Sequence, residues 1–321
     1  MNNYSRILTL PAMLLLAFGC AEMPQAESVS PLDDDARAVI STKVSGGAGA
    51  NEASVSDLQV FVFDSEGNFE IKGSGNGQSI EMGCTKGRKT IWALAGAPEL
   101  HPSNEDELLN TVTRLEDNDL NSFVMSGSRS LEVGGTTDVE LAVKRYVAKV
   151  SLGRIINSLS GAYASKELII KDVYLLNVAA NTTLGLSSPT QWYNKMGKEN
   201  TPADHLIAQG DISASVAPGG SCNLDCVFYP YPNPTEGNAN GGTWSERHTK
   251  LVVEASIGGV TCYYPVVLPV LQRNRTYTIS DLTITMFGSD NPDIPIDKGT
   301  VEFSILVEDW ETGQAPHSET I

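Results

Sequence analysis

Beyond residue 50 the chain consists of short runs of β-branched and aromatic residues. Gly, Pro, Asn, Asp and Ser break these runs, and a helical period is almost absent. This patterning limits the fold more than any other feature. Residues 54–63 (SVSDLQVFVF) alternate towards their end and read as a half-buried strand. Residues 64–68 (DSEGN) carry turn chemistry, and residues 69–71 (FEI) read as the returning arm of a hairpin. Residues 73–77 (GSGNG) read as a loop. Residues 89–97 (KTIWALAGA) are continuously apolar enough for a central strand, which Pro98 ends. Residues 123–126, 130–133, 136–143 and 147–156 read as further short strands.

The spacing predicts one clear helix over residues 103–115. Ser103 is placed to cap it, Glu105, Asp106 and Glu107 suit its positive end, and Leu108, Leu109, Val112 and Leu115 share a face. Residues 167–178 form the next strand, and residues 179–220 are long, polar and irregular. Strands then follow at 227–231, 250–257, 260–268, 276–286 and 300–310, with Gly258 and Gly259 making a hairpin turn. Short strands at regular intervals with one or two short helices indicate an all-β fold of two antiparallel β-sandwich domains in tandem. No Pro/Gly/Ser linker separates the halves, so the boundary falls near Arg145, within a stiff junction.

The N-terminus is of another kind. A polar start with Arg6 leads into an apolar run over residues 8–18, too short for the roughly 20 residues a membrane helix needs. It reads as the core of a signal peptide that spans residues 1–19. Ala17, Phe18 and Gly19 then precede Cys20, which looks like the lipid-bearing cysteine of a bacterial lipobox, although Ala17 stands where Leu is usual. An ordinary secretory signal with an incidental cysteine is the alternative. Residues 20–37 read as an acidic tether ending in Asp33, Asp34, Asp35, Ala36 and Arg37, which the resemblance described below makes a propeptide. A small β-prone run follows, with Ala38, Val39, Ile40, Lys43 and Val44. An arginine between an acidic tether and a strand is a protease-accessible position.

The formal net charge is −17, and removing the +1 of Arg6 with the signal leaves −18. Phosphate backbones and anionic membrane surfaces repel such a chain, which argues against nucleic-acid binding and routes any membrane attachment through Cys20. Cys84, Cys222, Cys226 and Cys262 read as isolated small thiols or one disulfide; Cys222 and Cys226 lack a second pair at zinc spacing. His101, His205, His248 and His317 are scattered, and no nucleophile elbow, zincin motif or phosphate loop occurs. No catalytic residues, metal or cofactor are expected. Asp290, Asp293 and Asp297 could suggest calcium, but Pro292 and Pro295 disrupt an EF-hand loop and a solvated turn is the better reading. Trp192, Tyr193, Tyr229, Tyr231 and Trp244 could build a glycan platform or fill the ends of a sandwich.

Five segments, in order, resemble the fimbrillin family, the type V pilins of Bacteroidales. They are Val60 to Asp64 with Gly67; residues 92–98 (WALAGAP); residues 143–149 (VKRYVAK); Tyr263 to Val266 with residues 273–277 (RNRTY) and Gly288 to Asp290; and residues 307–310 (VEDW). The resemblance implies two transthyretin-like sandwiches, at residues 38–145 and 146–321, and a structural subunit rather than an enzyme. It implies export as an outer-membrane lipoprotein through Cys20, trimming by a trypsin-like or arginine-specific protease, and polymerisation with copies of itself and other pilins in adhesive surface fimbriae. Arg37 matches the cleavage position and Lys43 is the second choice. A strand from a neighbouring subunit is expected to fill the groove that processing opens.

One departure bears on which strand is donated. The tail after Trp310 (ETGQAPHSETI) is polar and does not alternate. Either the donor includes Val301, Phe303, Ile305 and Val307, or the chain is an anchor or accessory pilin that does not donate in the shaft manner. A surface glycan-binding lipoprotein using the second-half aromatics is the alternative from a different class.

Overall fold

The computed structural model describes residues 37–45, 52, 54–76, 79–296, 299–310 and 319–320. In chain order these form β1 (Arg37–Ser45), β2 (Leu58–Phe63), β3 (Phe69–Gly75), β4 (Ser79–Thr85), β5 (Gly87–Ala95), α1 (Glu105–Asn110), β6 (Val112–Arg114), β7 (Met125–Val133), β8 (Thr136–Ala142) and β9 (Lys144–Arg145). Then come β10 (Lys149–Asn157), β11 (Leu168–Leu176), β12 (Val178–Ala179), β13 (Asn181–Thr183), β14 (Trp192–Tyr193), α2 (Asp204–Ile207), β15 (Ala214–Val216) and β16 (Ser221–Phe228). The chain continues through β17 (Lys250–Ile257), β18 (Val260–Val267), β19 (Arg275–Ile284), β20 (Val301–Phe303), β21 (Leu306–Asp309) and β22 (Glu319–Thr320).

The all-β expectation holds. The first half has a five-stranded sheet, β3-β2-β5-β7-β9, and a three-stranded sheet, β4-β1-β8. The second has a sheet ordered β16-β10-β19-β21-β22, with β20 also on β19, and a four-stranded sheet, β15-β11-β17-β18. Two small ladders, β13-β6 and β12-β14, tie loops down. Most pairs are antiparallel, as expected. The exceptions are β1 with β8 and β10 with β19, which run parallel.

Several local expectations need correction. Residues 58–63 are buried on both faces, not one. The second face is covered because Gln59 receives the amide of Leu100 and donates to Ala97 and Pro98, while Trp92, opposite Phe61, donates to Glu105 at 2.7 Å. The loop read at residues 73–77 begins as strand, because β4 crosses Gly73 so closely that a Cβ there would lie 2.6 Å from Met82 and Ile80. The helix is shorter than its apolar face. Asn104, not Ser103, caps it by accepting from the Glu107 amide at 2.8 Å. The helix ends at Asn110, where β-branched Thr111 and Val112 follow, and Val112–Arg114 pairs with Asn181–Thr183 instead. The strand read at residues 227–231 starts earlier, at Ser221.

Candidate functional site

The feature that sets this chain apart from a closed sandwich is the placement of β1. It is the first described strand, yet it lies in the middle of its sheet, antiparallel to β4 and parallel to β8. Ala38, Ile40 and Thr42 lie opposite Cys84, Met82 and Ile80 on one side, and Ile40, Thr42 and Val44 lie opposite Thr137, Val139 and Leu141 on the other. Met82, Cys84, Val139 and Leu141 are all buried. The slot therefore combines two facing rows of backbone donors and acceptors with an apolar floor. A strand is what satisfies both.

The register treats the two expected cleavage positions differently. Arg37, where the strand begins, has one ladder partner, Thr85; pairing with β8 starts only at Val39. Lys43 is paired on both sides, with Ser79 and with Glu140. The rim near Arg37 is held rigid from behind. Glu70 accepts the Thr85 amide, and Lys89 bridges Glu70 at 2.5 Å and the Thr85 hydroxyl at 2.8 Å. Burial would raise the Glu70 carboxyl, but the Lys89 and Thr85 contacts outweigh it and hold the group below its ordinary value. Cys20 lies outside the described residues.

Beyond the strand, Glu52, a residue with no distinguishing sequence signal, is fastened to the body of the protein. Its backbone carbonyl accepts from Arg145 Nε at 2.7 Å. Its Oε1 takes the Lys149 ammonium at 2.7 Å and the Tyr229 hydroxyl at 2.6 Å, and its Oε2 takes the Trp310 indole at 3.1 Å. Burial again opposes ionisation. The hydrogen bonds from Lys149, Tyr229 and Trp310, with the Lys149 charge, hold the carboxyl below the usual glutamate value. Arg145 is buried, packs its guanidinium 4.2 Å over the Trp310 ring and donates to Asn274 Oδ1 at 3.2 Å. Arg273 donates to the Arg145 carbonyl at 3.0 Å and stacks 4.1 Å over Tyr146. Three of the segments singled out in the sequence, around Arg145, Asn274 and Trp310, thus meet at one clamp, together with the residue that precedes β2.

The other sequence candidates fall elsewhere. Val301 and Phe303 lie on β20 and Val307 on β21, both paired with β19 of the same chain, and Ile305 is buried between them. The aromatics do not assemble into an exposed platform. Trp192 is buried edge-on to Trp244, Tyr229 stacks on Trp310, and buried Tyr231 bonds Thr113 and Asn118. Asp293 is not a solvated turn residue, and Asp297 lies outside the described residues. Asp293 is fully buried, with Arg247 at 2.7 Å and Lys250 at 2.8 Å, and further bonds from Asn177 and the Gly241 amide. This ion triad fastens the Pro/Gly-rich stretch before β17 to the sheet. The four cysteines of the described residues are free thiols, with Cys222 and Cys226 both on β16. Among the described residues no group of His, Cys, Asp and Glu could hold a metal ion.

Residues 35–154 match the family model for the major fimbrial subunit protein (FimA). Over that span the chain is similar to the fimbrillin family. The matched family is one of structural subunits, not enzymes. No curated protein matches the chain. Solved structures extend the fimbrillin fold across both halves. A fimbrilin (FimA) of Porphyromonas gingivalis superposes with a TM-score of 0.63 at 16% identity, covering 87% of this chain and 99% of that one. A candidate cell adhesion protein of Bacteroides eggerthii gives 0.64 at 16% identity, covering 86% and 96%. The tip fimbrial protein Mfa3 of Porphyromonas gingivalis gives 0.55 at 14% identity, covering 85% and 100%. At such identities these likenesses speak for the fold.

Proposed function

We propose that this chain is a structural subunit of an adhesive cell-surface fimbria, exported as a lipoprotein precursor and joined to its neighbours by strand exchange. The observation that carries the reading is β1: a strand near the start of the chain that closes the middle of a sheet. The matched fimbrial family supports it for the first half of the chain. Cys20 holds the precursor at the outer membrane. A trypsin-like or arginine-specific protease cuts after Arg37, which has a single ladder partner where Lys43 has two. A protease reads its substrate as an extended strand with a free edge, which favours Arg37. The cut frees β1 from the lipidated tether, and a strand from a neighbouring copy or another pilin fills the slot when β1 leaves.

Arg37→Ala should leave the lipidated precursor intact and abolish filaments seen by electron microscopy. Normal filaments from both Arg37→Ala and Lys43→Ala would refute this processing scheme. An anchor or accessory pilin of the same system is the second reading. Its support is that Val301, Phe303, Ile305 and Val307, the residues with donor-like alternation, are already paired or buried in their own half. Loss of filament attachment with filament number unchanged would mark that role.

A further inference from the structure

The buried ion triad of the second half holds a nucleophile that the fimbrial reading does not use. We propose that Lys250 and Asn240 join covalently within the chain. The lysine Nζ and the asparagine Cγ form an isopeptide bond with loss of ammonia, and Asp293 relays the proton. The modification rests on this cluster, so it stands or falls apart from the fimbrial reading.

Lys250 opens β17, where it lies between Leu176 of β11 and Val267 of β18, so its backbone is held on both sides. Its side chain is fully buried, and so is that of Asp293. The lysine nitrogen donates to Asp293 Oδ1 at 2.8 Å, to the Asp293 carbonyl, and to Asn240 Oδ1 at 2.9 Å. Asn240 is exposed, yet its carboxamide oxygen reaches this buried nitrogen. The next residue is fastened to the same carboxylate. The Gly241 amide donates to Asp293 Oδ2 at 2.8 Å, and Arg247 holds that oxygen at 2.7 Å. Behind it the His248 amide donates to the Gly237 carbonyl at 3.0 Å. Nucleophile, carboxamide and proton carrier are thus already in contact. An amine so near a carboxamide oxygen stands close to the roughly 3–3.5 Å from which attack on the carbon begins.

Charge decides which group gives up a proton. Arg247 is fully buried and already neutralises Asp293, so a protonated Lys250 leaves the triad one positive charge in excess, away from water. Burial and the Arg247 charge push the lysine below its ordinary value, although Asp293 pulls the other way. A desolvated lysine beside a second cation is an activated amine. Its lone pair attacks Asn240 Cγ, and the carbonyl π pair moves onto Oδ1. The Asp293 carboxylate takes a proton from Nζ and delivers it to Asn240 Nδ2. The carbonyl then re-forms, the Cγ–Nδ2 bond breaks, and ammonia leaves through the exposed side of Asn240. Asp293 ends unchanged. Overall, one lysine ammonium and one carboxamide give one secondary amide and one ammonium ion. The link ties the Pro/Gly-rich stretch that carries Trp244 to β17, an interior strand of its sheet.

Peptide mapping of the purified full chain tests this, with trypsin, which does not cut after an acylated lysine. The proposal expects residues 199–247 and 248–273 to travel as one branched peptide, lighter than their sum by one ammonia. Fragmentation should place the bond between Asn240 and Lys250. A cut after Lys250 with Asn240 intact overturns the proposal. Loss of ammonia at Asn240 with Lys250 still cut also overturns it, because the Gly241 amide has then closed a succinimide instead. Asn240→Ala changes an exposed side chain and should restore the cut after Lys250. Asp293→Asn should slow formation of the Asn240–Lys250 bond by about a hundredfold, and an unchanged rate overturns the proton relay. The map of the unsubstituted chain needs no variant, so a folding defect cannot hide a negative result.

Discussion

β1 and β10 occupy equivalent places in the two halves of the molecule. Each runs antiparallel to one neighbour, β4 or β16, and parallel to the other, β8 or β19. Their attachments differ. β10 is continuous with β9 through buried Tyr146, Val147 and Ala148. At its far end Asn157 donates its backbone amide to Gly220 and its side chain to Val216 and Lys166. Across its outer face Arg154 makes a two-pronged bond to Asp281 at 2.7 and 2.9 Å. β1 is followed, beyond residues 46–51, which lie outside the described residues, by Glu52 at the clamp. The comparison teaches that one sheet design can serve both a strand built into the chain on either side and a strand at the start of the described residues.

The sharpest way to break this comparison is to place proline at matching positions. Leu152 in β10 and Ile40 in β1 each face two strands. Leu152→Pro removes a ladder donor and a buried leucine, the latter alone worth about 2–5 kcal/mol, and should leave no cooperative thermal transition. Ile40→Pro should keep a cooperative transition at lower temperature, with hydrogen-exchange protection lost chiefly in β4 and β8. If both variants unfold alike, the two strands are not distinct in kind.

A second contrast concerns how the later half is secured. Asp293→Ala leaves Arg247 and Lys250 buried without their carboxylate, at a cost of about 3–5 kcal/mol by thermal denaturation. Protection of β1 should change less than that of β17. Smaller again is Glu52→Gln, which keeps the shape of the pin but weakens its bond to Lys149. A loss of about 1–2 kcal/mol is expected, with Trp310 fluorescence reporting the loosened clamp. The smallest effect is a pH dependence. The Glu52 carboxyl is held below its ordinary value of 4.5, so its contribution is present above that pH and is lost as pH falls through the lower folded value. Glu52→Gln should remove that part of the acid destabilisation, and an unchanged acid profile would separate the clamp from Glu52.

Much of the architecture was legible because local chemistry fixed it. The Asp64 turn accepts the amides of Glu66 and Asn68 at 2.8 and 2.9 Å and closes the β2–β3 hairpin. Gly258 and Gly259, both at positive φ, close β17 onto β18. What escaped was non-local. β4 (SIEMGCT) lacks β-branched density and becomes a strand because β1 and β3 bracket it. The burial of β2 on both faces depends on residues 97–105 folding back over it. Asp293 looked like a surface turn because its cationic partners lie more than forty residues away in sequence. For the site, the β-prone run after Arg37 was legible, but its central, parallel placement depends on β8, far along the chain. Glu52 carried no signal at all, since a lone glutamate between Asn51 and Ala53 gives no hint of a clamp.

Native-state hydrogen exchange on the Arg37-cut chain tests the central claim most directly, by comparing the amides of β1 with those of β10. The account predicts that β1, with the facing amides of β4 and β8, opens at lower free energy than β10 and with little dependence on denaturant, while β10 exchanges only through global unfolding. Equal opening free energies and equal denaturant dependence for the two strands would contradict it.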